Sequence, residues 1–242
     1  ALIIALLIAF KLKAVNEHLK IQRDKSAFAH LWHTVVQKKH RIGFTSTALL
    51  SIGGFMMMPF GSAFAVNNLG ITESELPMLF MVSGVSSLVI LPLVGRLSDK
   101  VSKFKIFAFA SIWMMLMCVI YTNLSVTPFI WVMILNVLMM AGIMSRMIPS
   151  QALTSAIPEP ADRGAFMSIN ASLQQIAGGV AAAVSGLIVT QSGKGQPLEH
   201  YNIVAYVIVV ITLISIWLMG RVSKLVLAKG NKVATAPPVM EH

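Results

Sequence analysis

Apolar residues fall into six long runs separated by short polar connections, at residues 42–68, 77–95, 105–122, 129–148, 165–190 and 201–220. A bilayer core of roughly 30 Å needs about 20 mostly apolar residues per helix. Lipid also leaves a spanning chain no partner for its backbone except its own helix. Each run therefore predicts a transmembrane helix. Ala1 to Phe10 is a further apolar stretch that stops at Lys11, about half the length needed to span. It has no basic leader and no small-residue cleavage site, so it is expected to be the truncated end of another transmembrane helix, the chain being a fragment of something longer. The predicted fold class is all-α, a polytopic membrane helix bundle with six full transmembrane helices plus a truncated one. Its segments are the truncated helix at 1–10, a basic connection at 11–41, the six-helix bundle at 42–227 and a tail at 228–242. The tail, ending in PPVMEH, has no apolar periodicity and is expected to be disordered.

Within the basic connection, Phe28, Leu31, Trp32, Val35 and Val36 recur at helical spacing while His30, His33, Thr34 and Gln37 fall on the other side. This predicts an amphipathic helix. It can lie at the headgroups with Trp32 in the interface and Lys38, Lys39 and Arg41 near anionic lipid, or pack as a cytosolic helix against the bundle. His30 and His33 have no third ligand nearby and are read as a solvated face.

Composition agrees with the spans. Hydrophobic residues make up 56% of the 242 and charged residues only 12%, with a mean hydropathy of +0.78, whereas soluble domains run near ~25% charged. The net charge of +10 would suggest nucleic acid in a soluble protein. Here Lys and Arg first mark topology. Residues 11–41 carry eight, 96–105 four, Arg146 and Arg163 one each and 221–232 four, while the alternate connections hold only Lys194. The 11–41 connection and the C-terminus are therefore expected on the cytoplasmic side of the plasma (inner) membrane, and no nucleic-acid partner is needed. A lone cysteine, Cys118, excludes a disulfide framework and a cysteine metal cage. No metal and no cofactor are expected.

The connection after the second run reads GRLSDKVSKFK, residues 95–105. It resembles the signature loop of the major facilitator superfamily, with Gly95, Leu97, Ser98, Asp99, Lys100, Lys103 and Lys105 matching. Ser102 stands where glycine is usual and Phe104 interrupts the basic pair, as in the looser second copy of that loop. SAIPEPADRGAFMSINASLQQIAGGVAAAVSGLIV, residues 155–189, is similar to the family's connection into its eleventh helix, through Pro158, Arg163, Gly164, Gly178, Gly179 and Gly186. The resemblance covers residues 1–227. It implies the C-terminal half of a twelve-helix transporter, most similar to the drug and sugar efflux branch, whose partner is the missing N-terminal half. It also implies that the first and fourth runs line a central cavity.

Physical reading assigns roles within that frame. Asp99 is expected in a tight turn where it caps the following helix. An Asp99–Arg146 pair is expected to latch the two halves when the cytoplasmic side is closed, with Gly95, Lys100, Lys103 and Arg163 in the same device. The alternative is that Arg146 snorkels to phosphates and Asp99 only caps. The third and sixth runs are apolar nearly all round and suit lipid-facing positions, with Met114 and Met115 as filler. Ser46, Thr47, Ser51, Gly53, Gly54 and Pro59 predict a bent or broken first helix. Amides are costly in hydrocarbon, so Asn136, Asn170, Gln174 and Gln175 either hold helices together or touch substrate. With Ser51, Met56 and Met140 they form the expected substrate cavity, and flexible thioethers suit ligands of varied shape. Gly178, Ala182 and Gly186 form a small-residue stripe for close helix packing.

No Asp or Glu lies mid-span, so a proton-coupling carboxylate, if protons are the coupling ion, is expected in the missing half. The spans show no histidine and no nucleophile with a base, against an intramembrane enzyme. They show no repeated charged pore positions, against a channel. The expected function is secondary active transport by alternating access, exporting small organic molecules (drugs or sugars) by proton antiport. Sugar or metabolite uptake, or a non-transporting receptor of the same fold, are the alternatives.

Overall fold

The computed structural model describes residues 27–193 and 195–234. The elements are α1 (Ala27–Val36), α2 (Lys38–Phe55), a 3-10 turn (Met58–Phe60), α3 (Gly61–Asn67), α4 (Leu76–Lys100), α5 (Lys103–Thr122), α6 (Phe129–Ser155), α7 (Arg163–Ile188), the strands β1 (Thr190–Gln191) and β2 (Leu198–Glu199), and α8 (Tyr201–Ala234). Residues 1–26, with the expected truncated helix and most of the basic connection, lie outside the described residues. So do Lys194 and tail residues 235–242.

Six helices are long and apolar enough to cross a membrane, and they coincide with the six apolar runs. The chain is an all-α membrane bundle. Two helices run further than their apolar stretches. α6 continues through Pro149 to Ser155, and α8 continues to Ala234, into the segment expected as tail. The end of α8 is held by Lys229, whose ammonium donates to the Pro158 carbonyl at 2.8 Å and pairs with Glu159 at 3.4 Å.

The first span is broken, as its glycines and proline predict. α2 ends at Phe55, Met56 and Met57 keep helical dihedrals in a bend between the pieces, and Pro59 sits in the first turn of the short 3-10 helix that follows. Proline has no N–H to give and its ring crowds the preceding turn, so an interruption here costs less than one mid-helix. The far piece, α3, is tied down by Asn68, whose amide donates to the Leu198 carbonyl at 2.9 Å and accepts from the Leu198 N–H at 2.8 Å. Phe64 packs between the rings of Tyr121 and Tyr201.

The spans form an open arc. α4 packs on α6, α6 on α5, α5 on α8, α8 on α2 and α2 on α7. The end members are the least covered, with 11% of the apolar window of α4 and 17% of that of α7 buried. The third span, α5, is the most enclosed at 50%, against the expectation of a lipid-facing helix. Packing between α6 and α8 covers most of it, and only a stripe including Phe109, Ile112 and Leu116 stays exposed. Met114 is correspondingly buried. Gly142 permits this crossing: a Cβ there would stand 3.0 Å from Trp113 Cδ1 and 3.2 Å from Met114 Cα.

Two further expectations shift in register. On α7 the small side chains that turn inward are Ala177, Ala181 and Ser185, one residue off the predicted stripe. Gly178 meets the Phe55 ring, and Gly186 faces open space. α1 is present, but it packs on α7 through Thr34, a residue expected to face away, and leaves Trp32 and Val36 exposed. Just beyond it, His40 lies inside the first span, which begins at Lys38. The spans therefore do contain a histidine. Its ring is buried against Phe44 and Phe166, and Nδ1 lies 2.8 Å from the Thr34 carbonyl.

Candidate functional site

The concave side of the arc encloses a cavity of about 570 Å³, to which all six spans contribute. The first and fourth dominate, in agreement with the sequence reading. The methionines of the first span divide by the direction in which they face. Met57 and Met58 line the cavity, whereas Met56 turns into the core and is fully buried.

Of the residues expected in the cavity, Ser51, Asn136, Met140 and Gln174 line it together. Asn170 is buried one turn from Gln174, outside the lining, with no hydrogen-bond partner for Oδ1. Gln175 is exposed on the other side of α7. Asn136 is positioned from the second span: Ser83 Oγ lies within hydrogen-bonding reach of both Asn136 Oδ1 and the Leu79 carbonyl. One hydroxyl proton serves these two acceptors in turn.

The third and sixth spans add wall residues the sequence reading passed over, among them Cys118, Tyr121, Tyr201 and Met114. The visible signal was a tyrosine at the end of each apolar run. Tyr201 donates to the Met57 carbonyl at 3.1 Å, satisfying a group freed by the helix break. Cys118 Sγ lies 3.1 Å from Met57 Sδ.

Arg146 stands elsewhere than expected. Because α6 runs on for more than two turns beyond it, Arg146 is not at the helix end with Asp99. It is 4% exposed, in the cavity wall. Nη2 donates to the Leu50 carbonyl at 3.2 Å, and Nη1 has no hydrogen-bond partner. Thr212 Oγ1, also unpartnered, and Arg146 Nη2 lie 3.6 and 3.8 Å from where a Cβ on Gly53 would be. Among the described residues, no carboxylate pairs with Arg146.

The other latch residues gather at one end of the bundle. Gly95, Asp99 and Lys100 occupy the closing turns of α4, Lys103 opens α5 and Arg163 opens α7. Asp99 is not a cap. It lies within α4, and the residue before α5 is Ser102, whose side chain makes no capping bond. The Asp99 carboxylate is exposed and forms no ion pair with Arg146.

The family model of the Major Facilitator Superfamily matches residues 43–239. Comparison with curated proteins finds no match. The match spans every transmembrane helix described above, and the chain belongs to the Major Facilitator Superfamily, a family of membrane transporters.

Proposed function

We propose that this chain is the C-terminal six-helix half of a secondary transporter that exports small organic molecules by alternating access. The cavity carries the reading: its walls come from all six spans, and the two least covered helices, α4 and α7, stand at the ends of the arc that encloses it. Those two faces are the surfaces on which an N-terminal half would rock. The loop bearing Gly95, Asp99, Lys100 and Lys103, with Arg163, would meet that half at the Lys- and Arg-rich end. By the distribution of basic residues that end is cytoplasmic, in the plasma (inner) membrane.

Export in exchange for protons fits the drug and sugar efflux branch, to which the chain as a whole looks most similar. No Asp or Glu is among the cavity-lining residues, so the coupling carboxylate would belong to the N-terminal half. The lining is rich in methionine and poor in hydrogen-bonding groups, which favours solutes with an apolar body over heavily hydroxylated ones.

The test is flux into proteoliposomes holding the complete transporter under an imposed pH gradient, with lipophilic anionic, neutral and cationic compounds and sugars as probes. Gradient-dependent movement of lipophilic probes is expected. Movement of a sugar alone would overturn the substrate class. Absence of all flux would favour a receptor of the same fold.

A further inference from the structure

A guanidinium is costly to bury in a membrane and is normally found paired. Arg146 is 4% exposed, and among the described residues one backbone carbonyl, that of Leu50, is its hydrogen-bond partner. A carbonyl supplies a dipole but no countercharge. The remaining cavity wall adds none, since neither Asp nor Glu is in it. What the wall does provide is thioether and aliphatic surface, from Met139, Met140, Met144, Leu79 and Ile208, beside neutral hydrogen-bonding groups that include Asn136, Gln151 and Gln174.

We infer that Arg146 is the anion-binding group of the cavity, and that the transported molecule carries one anionic group, such as a carboxylate, on an apolar body. The inference deepens the transporter reading and rests on it. A planar guanidinium has five donors in a fixed fork suited to a carboxylate or phosphate, and Nη1 is unengaged in this structure. An anion bound there supplies the missing countercharge, and its apolar body takes the methionine wall. The same fixed positive charge disfavours lipophilic cations and soft metal cations, despite the thioethers and the thiol of Cys118.

The same chemistry is offered by a soluble organic acid and by an anionic lipid headgroup. The experiment separates them. The complete transporter, purified in detergent, is titrated calorimetrically with phenylbutyrate, phenylbutanol and phenylbutylamine, which share a skeleton and differ in charge. Phenylbutyrate is expected to bind about tenfold tighter than the alcohol, equivalent to about 1.4 kcal/mol, and the amine no tighter than the alcohol. Arg146→Gln is expected to bring the acid and alcohol to equal affinity, while Arg146→Lys keeps part of the preference. Displacement of phenylbutyrate by phosphatidylglycerol assigns the site to a lipid headgroup, and no displacement assigns it to a soluble acid. Equal binding of all three probes by the unsubstituted protein, tighter binding of the amine, or binding of none overturns the inference without recourse to a variant. The transporter reading survives those results wherever neutral or cationic probes still move in the flux assay, and falls only with flux itself.

Discussion

Tyr201 and Met57 are joined by a hydrogen bond of 3.1 Å from the phenol to the backbone carbonyl, which fastens the start of the sixth span to the break in the first. The Met57 carbonyl also accepts from the Phe60 N–H at 3.3 Å, so the tyrosine strengthens a turn that has little else. Tyr201→Phe keeps the buried ring and removes the bond. Loss of about 0.5 to 1 kcal/mol is expected, since intramembrane hydrogen bonds are individually modest. Denaturant-induced unfolding in mixed micelles measures it, and unchanged stability would show that the turn stands without the phenol.

Gly142 sets the separation of α5 and α6. Because a Cβ there would press on the backbone of Met114, the neighbour cannot yield by a rotamer change, and Gly142→Val is expected to cost about 1 to 3 kcal/mol through overpacking. Gly84→Ala is the control. It meets open space within a helix, where alanine is favoured over glycine by roughly 0.5 to 1 kcal/mol, so its melting temperature is expected to hold or rise.

Ser83 and Asn136 act as a pair across the second and fourth spans. A double-mutant cycle with Ser83→Ala and Asn136→Ala is expected to give a coupling of about 0.5 to 1.5 kcal/mol in stability. If Asn136 also contacts substrate, Asn136→Ala lowers flux beyond what Ser83→Ala does. Equal flux in the two variants would confine Asn136 to a structural role.

Outside the membrane, Glu75 accepts from the Thr72 N–H at 2.9 Å and the Thr72 hydroxyl at 2.8 Å. Both bonds run to the Glu75 carboxylate, in the turn that precedes α4. The backbone bond first, and the hydroxyl bond second, hold its carboxyl below the usual 4.5. A depressed carboxyl stabilises the fold above its ordinary pKa, and that contribution is lost as pH falls through the lowered value. Thr72→Val removes only the hydroxyl bond, so carboxyl resonances of Glu75 are expected to titrate at a higher pH than in the unsubstituted protein, still short of the usual value.

The spans were legible because bilayer thickness imposes a length that no soluble helix must meet. The break in the first was legible because Pro59 has no N–H to continue the helix and Gly53 and Gly54 hold the turns before it only weakly. Depth and facing were harder. Arg146 reads as a boundary marker because basic residues usually stop a span, yet α6 continues past it and through Pro149 to Ser155. α5 reads as lipid-facing since Phe, Met and Ile are equally at home against lipid or protein, and only the neighbours α6 and α8 decide. Met56 and Met57 are adjacent in sequence and keep helical dihedrals, so they point about 100° apart, one into the core and the other into the cavity, and which is which depends on the neighbouring helices.

The interruption at residues 56–60 gives the first span two independent anchors. The longer piece, α2, is clamped along its length by α7 and α8, while α3 is pinned by Asn68 to the β-hairpin and by Phe64 to two tyrosine rings. A rigid rod with both attachments could tilt only as a whole, dragging α7 and α8 with it. Separated by the interruption, the two pieces answer to different neighbours, so cutting the Asn68 contact is expected to loosen α3 and the hairpin while the Arg146–Leu50 bond beside α2 stays in place.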